Sequence, residues 1–184
     1  LPDVMDGVQY AIAVGAEVIS MSWGGGGFSL FSQQVFTGAF NDGIVLVAAA
    51  GNDNVSTTFY PAGYQNVIAV GSTNSSNQKS GFSNYGSYID VMAPGSDIRS
   101  TVAGSNSSYT EYDGTSMACP MVAGLCALML SYNPNQTPDD IENCLEAGCD
   151  NIDAQNPNYV GQMGAGRINA RNALACSPPP ITDH

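Results

Sequence analysis

Residues 44–53 read IVLVAAAGND. Ile44–Ala50 is an unbroken apolar run, the pattern of a strand covered on both sides within a parallel sheet. Working outward, residues 31–42 put Phe31, Val35, Ala39 and Phe40 on one helical face. Glu17–Trp23 (EVISMSW) is a β-rich run ended by four glycines, and residues 3–15 carry Val4, Val8, Ala11 and Ile12 at helical spacing, with Asp3 placed to cap. Downstream, Val67–Val70 and Tyr88–Met92 read as short strands, and residues 98–112 as a hairpin with a turn at Gly104. Residues 115–131 form a helix that is apolar almost all round, which predicts a place in the core. Thr137-Pro138-Asp139-Asp140 is a helix start with a capping hydroxyl, a first-turn Pro and acids against the dipole. A last helix covers roughly 168–175. Strands alternating with helices over short connections predict an α/β fold of three αβα layers around a mostly parallel sheet.

The 184 residues are 43% apolar, which suits one domain with a sizeable core. The apolar runs fall short of the ~20 residues of a membrane span. The net charge is −12 with only four Lys and Arg, so the surface repels phosphate backbones and anionic lipid. That argues against nucleic-acid and membrane partners. The chain shows no leader pattern and begins on Leu1, which suggests a processed or truncated product. Of five cysteines, Cys119 and Cys126 share a face of the apolar helix and read as buried thiols. Cys144 and Cys149 are close enough for a local disulfide, or are separate thiols. Cys176 precedes a Pro-rich tail and could reach another segment. There is no Cys-x-x-Cys pair and a single terminal histidine, hence no zinc set.

The stretch DGTSMACPMVAG at 113–124 mounts Ser116 at the start of the apolar helix. A serine there meets unsatisfied amides and the positive end of the helix dipole, features that also stabilise the oxyanion formed when serine attacks a carbonyl. Gly114 lets a substrate approach. The plainer alternative is that Thr115 or Ser116 only caps a helix. Asn52 follows directly on the apolar strand, at the carboxyl end where ligands of open α/β sheets bind, and could offer its amide to a developing negative charge. Gly51-Asn52 is otherwise an ordinary turn.

In their order and spacing, EVISMSWGG, GIVLVAAAGND, NVIAVGS, FSNYGSYIDVMAPG and DGTSMACPMVAG resemble the subtilisin-like serine proteases, the subtilases. The likeness runs to about Ala175, so residues 1–175 read as part of a catalytic domain and 176–184 as a tail or linker. It implies that Ser116 is the acyl-forming nucleophile and that Asn52 and the Ser116 N–H make the oxyanion hole. It also implies a catalytic Asp and His upstream, because this family's triad runs Asp, His, Ser along the chain. No such motifs occur here: Asp113 is not the triad acid, and His184 reads as a tail residue. The upstream segment is therefore an expected partner, together with a peptide or protein substrate and an inhibitory propeptide. Secretion is the expected location. The alternative is an incomplete fragment or a non-enzymatic binding half-domain. A different serine hydrolase is disfavoured, since Ala118 stands where the Gly-x-Ser-x-Gly elbow needs its last glycine. Met121 stands where many relatives have a non-catalytic histidine.

The resemblance also places the substrate. Extended peptides would pair with Ser22-Trp23-Gly24 on one side and Ala48-Ala49-Ala50-Gly51 on the other, with Gly114 and Thr115 beside the nucleophile. Trp23 is either a subsite wall or a core aromatic. The floor of the primary pocket falls near Phe59-Tyr60-Pro61, and Phe59, where subtilisins often have glycine, should make it shallow. No cofactor is required for the chemistry. A Ca²⁺ or Na⁺ ion would use the carbonyls of Ala62, Tyr64 and Val67 with Asp90, unless Asp90 simply bonds loop amides.

Overall fold

The computed structural model describes residues 2–177, without the side chains of Pro2 and Asp3. The Asp3 cap, the tail beyond Ser177 and His184 lie outside the described residues. In chain order the elements are α1 (Pro2–Ala13), β1 (Val18–Met21), α2 (Leu30–Asn41), β2 (Val45–Ala49), β3 (Ile68–Thr73), β4 (Val91–Pro94), β5 (Ile98–Thr101), β6 (Tyr109–Tyr112), α3 (Thr115–Tyr132), α4 (Pro138–Ala147) and α5 (Ala170–Cys176). The first four strands form one sheet in the order β1-β2-β3-β4, every pair parallel, and β5 and β6 form a separate antiparallel hairpin.

The period of two along β2 divides the apolar run between two cores. Val45, Val47 and Ala49 face α3, α4 and α5, whereas Leu46 and Ala48 face α1 and α2. Each buried aliphatic side chain contributes roughly 1.5–3 kcal/mol. Helices therefore cover both faces of the sheet, as expected for three αβα layers.

α3 packs across all four sheet strands. Its inner side, including Val122, Leu125, Cys126 and Met129, is buried, but Pro120, Met121, Gly124, Ala127 and Leu128 are exposed. The expectation that the whole helix lies in the core is thus corrected. A sheet shields one side of a helix, and among the described residues nothing covers the other.

Two further expectations change. Tyr88 lies in a turn and β4 starts only at Val91, because the Ile89 N–H bonds back to Gly86 and strand pairing begins at Val70–Val91. The disulfide joins Cys144 to Cys176, not to Cys149. α4 carries Cys144 on its buried side, where α5 brings Cys176 to a Cα–Cα separation of 5.4 Å. Cys149 lies past the helix end, its thiol against the Leu145 carbonyl, and burial pushes it up to about 12. Cys119 and Cys126 are free and buried. α4 starts as predicted: Thr137 and Asp140 form a reciprocal capping box, with Pro138 in the first turn.

Candidate active site

The carboxyl ends of β1 and β2 and the amino end of α3 enclose a cleft of about 280 Å³. Ser22, Trp23, Gly24, Ala49, Gly51, Asn52, Phe59, Thr115 and Ser116 line it, and so does Asp53, the last residue of the GIVLVAAAGND stretch, which is not among the expected site residues.

Ser116 opens the second position of α3 and is half-buried, its hydroxyl donating to the Ser22 carbonyl at 3.3 Å. Pro120, four residues on, has no N–H to donate to the Ser116 carbonyl. That freed carbonyl is taken by the Ser22 hydroxyl at 2.9 Å. A reciprocal pair of bonds thus ties the serine's turn to the end of β1. The Ser116 N–H is among the first-turn amides that a helix leaves unsatisfied.

Asn52 is held by the same turn. Its Oδ1 accepts from the Thr115 N–H and from Thr115 Oγ1, each at 2.9 Å. Thr115 Oγ1 in turn accepts from the Gly51 N–H at 3.2 Å. With Oδ1 so engaged, Nδ2 must point the other way, toward Gly114. A methyl added at Gly114 would stand 3.6 Å from Ser116 N and 3.7 Å from Asn52 Nδ2. Asn52 Nδ2 and the Ser116 N–H thus lie near one position beside the serine, with Met117 Sδ also 3.5 Å from it, an arrangement able to hold an oxyanion.

The other expected site residues divide. Ala49 and Gly51 line the cleft, but Ala48 and Ala50 are fully buried away from it, Ala48 against the α1 and α2 core and Ala50 beside Ile89 and Met92. Alternation along the strand forbids consecutive side chains from sharing a wall. Phe59 reaches the cleft, its ring over Gly24, where any Cβ would collide with it. Tyr60 and Pro61 instead line a second, larger cavity of about 510 Å³ with Val4, Met5, Phe31 and Tyr64. Trp23 borders both cavities and packs partly against the core. Cys119 lies beneath the site against Ser20, and burial raises its thiol, which suits packing.

Asp90 Oδ2 accepts from the Ala69 N–H at 2.7 Å, and its carboxyl stands with those of Glu142 and Glu146 within 4.8 Å. Ala62, Tyr64 and Val67 are buried on the α1 and α2 side of the sheet. Burial, and then the mutual charge, pushes Asp90 up to about 6 and Glu142 up to about 7; burial raises Glu146 as well.

The structure thus sets a serine at a helix start against an amide side chain at the end of a parallel strand. The sequence profile of the subtilase family matches residues 1–166, and the chain belongs to that family. It is 43% identical over 174 residues to a thermophilic serine proteinase of Bacillus sp. (strain AK1), covering 95% of this chain and 41% of that protein. Against subtilisin E of Bacillus subtilis (strain 168) it is 43% identical over 177 residues, 92% of this chain and 44% of that protein. The chain thus spans about two fifths of these relatives. Among solved structures, the prenylagaramide maturation protease PagA superposes with a TM-score of 0.87 at 26% identity, covering 95% of this chain and 67% of that one. The patellamide maturation protease PatA gives 0.86 at 29% identity, over 94% and 67%.

Proposed function

We propose that this chain supplies the nucleophile, oxyanion hole and primary pocket of a secreted serine endopeptidase, and that a segment outside this sequence supplies the catalytic His and Asp. The convergence of Asn52 Nδ2 and the Ser116 N–H beside Gly114 carries this reading. In the reaction, Ser116 Oγ leaves the Ser22 carbonyl, passes its proton to the incoming histidine and attacks the scissile carbonyl. The negative charge falls on the oxygen between the two donors. Collapse expels the amine, protonated by the same histidine, and water then releases the acyl group from Ser116.

Two surfaces support the need for a complementary segment. Among the described residues β1 is an edge strand of the sheet, paired only with β2, and Ser22 follows directly on its end. The exposed side of α3 is a stripe of Pro120, Met121, Gly124, Ala127 and Leu128, which a water-facing helix would not carry. A peptide substrate would lie along Ser22-Trp23-Gly24, with Phe59 shortening the primary pocket and the cavity beyond Trp23 taking an apolar side chain further along. Asp90, Glu142 and Glu146, with no cation among the described residues facing them, would suit a Ca²⁺ or Na⁺ ion that offsets their repulsion; the Ala62, Tyr64 and Val67 carbonyls expected to share it belong to residues packed on the other face of the sheet.

A fluorophosphonate probe tests the proposal. Ser116 should label when the upstream segment is supplied, and a Ser116→Ala variant should not. Absence of labelling with the segment present would mark an inert or purely binding half-domain.

A further inference from the structure

We infer that Asn84 is a positioning residue that sets the oxyanion-hole amide of Asn52. The inference rests on the reading of Ser116 and Asn52 given above. Asn84 follows β3 by eleven residues and is almost wholly buried, yet it makes no contact with the cleft's open space. Its backbone N–H, its side-chain acceptor and one bond of its side-chain amide go to the peptide on either side of Asn52, while the side chain also bonds Tyr88. Its N–H donates to the Gly51 carbonyl at 3.0 Å, and Nδ2 donates to the Ala50 carbonyl at 3.0 Å. Oδ1 accepts from the Asp53 N–H at 2.9 Å and the Val55 N–H at 3.2 Å. One side chain thus clamps the strand end before Asn52 and the turn after it.

The clamp explains Gly51. A Cβ there would lie 2.4 Å from Asn84 Nδ2, and the backbone φ is +102°, so only glycine lets the amide in so close. Neighbouring bonds follow the same plan: Tyr88 Oη also donates to the Ala50 carbonyl, and the Asn54 N–H donates to Phe82. Thr115 fixes which way the Asn52 side chain turns, and Asn84 fixes where its backbone sits. Both are needed, because a donor displaced by about 1 Å from a developing charge loses on the order of 10² in rate. Without the Asn84 amide, the Asp53 and Val55 N–H groups lose their acceptor, and the turn must shift to find another. Its one-residue reach is specific. Glutamine is a methylene too long, and aspartate has no N–H for the Ala50 carbonyl.

The test uses the protein together with its upstream segment. Asn84→Ala and Asn84→Ser are made alone and combined with Asn52→Ala. Rates on a peptide anilide are expressed per Ser116 titrated to endpoint with a fluorophosphonate. Asn84→Ala should lower kcat about 10- to 100-fold and leave KM within about twofold. In the Asn52→Ala background it should lower kcat by less than about threefold, because the amide it positions is gone. Equal losses in both backgrounds, or a loss confined to KM, would overturn the inference. So would two Asn84 variants that yield no titratable serine, which would make the residue purely structural. If Asn52→Ala alone leaves kcat nearly intact, the site reading itself fails, whatever Asn84 does.

Discussion

Replacing Phe59 with glycine should convert a pocket for small side chains into one that accepts aromatic ones. The Phe59 ring lies so close to Gly24 that an added Cβ there would stand 2.2 Å from its Cε1, and one at Gly51 would stand 3.1 Å from its Cγ. The ring therefore occupies the gap between the two glycine walls, the space into which the residue before the scissile bond would otherwise extend. Burying a phenyl group there is worth roughly 1.5–3 kcal/mol, which at 1.4 kcal/mol per decade is about a 10- to 100-fold gain. The assay is kcat/KM across peptides that differ only in that residue: Ala, Leu and Phe. The parent should favour Ala, and Phe59→Gly should raise the Phe-to-Ala ratio at least tenfold, chiefly through faster cleavage after Phe. The new glycine also loosens its loop, at a stability cost of about 0.5–1 kcal/mol, so Phe59→Ala serves as the stiffer control. A ratio unchanged within twofold in both variants would refute the idea that this ring limits the pocket.

The remaining predictions concern stability. Asp90 and Glu142 are held up to about 6 and about 7 from ordinary values of 3.8 and 4.5, so the folded chain keeps protons that the unfolded chain has released. Their contribution is fully favourable below about pH 4 and is lost as pH rises through 6 and 7. Glu142→Gln removes a member of the cluster, which Asp139 and Glu146 also face, and should flatten the fall of Tm between about pH 4 and 7. A slope equal to the parent's in thermal melts would count against the cluster. Cys176→Ser opens a disulfide spanning 32 residues, and the loop-entropy relation puts the loss at about 3–4 kcal/mol. Chemical denaturation should show it, and a loss below about 1 kcal/mol would mean that α5 docks on α4 without the bridge.

How far the residues announced this arrangement depends on the range of the interaction. The apolar run at 44–50 announced a doubly covered strand because burial on both faces leaves its mark on every position. The same run hid which alanines face the cleft, since alternation separates Ala48 from Ala49 and the chain has already left the strand at Ala50. The pattern of α3 overstated its burial: hydrophobicity records what a residue can bury against, and here the inner side alone is matched by the sheet. Ser116 and Asn52 were legible because each follows a local motif. Asn84 was not, although FSNYG sits in plain view, because its role consists of bonds to residues about thirty positions away. The Cys144–Cys176 bridge was hidden for the same reason, depending on where α5 docks.

The serine's exposure and the helix's burial are linked through Pro120. An α-helix that starts at a sheet's carboxyl end would normally consume the Ser116 carbonyl in its own ladder, leaving the first turn attached to the sheet only by packing. Proline at the fifth position after Thr115 frees that carbonyl, and Ser22 captures it while lending its own carbonyl to the Ser116 hydroxyl. Thr115 meanwhile binds Asn52 and Gly51 at the end of β2. The first turn of α3 is thus bonded to the ends of two adjacent parallel strands at once, which ties Ser116 to the sheet. The Ser22 bond is the one that must break for Ser116 to reach a substrate. It is a neutral bond at 3.3 Å, long for a hydroxyl donor, so releasing it costs little, whereas the two bonds that hold Asn52 are each 2.9 Å. In the proposed reaction, Asn52 is thus held by shorter bonds than the one the Ser116 hydroxyl must give up.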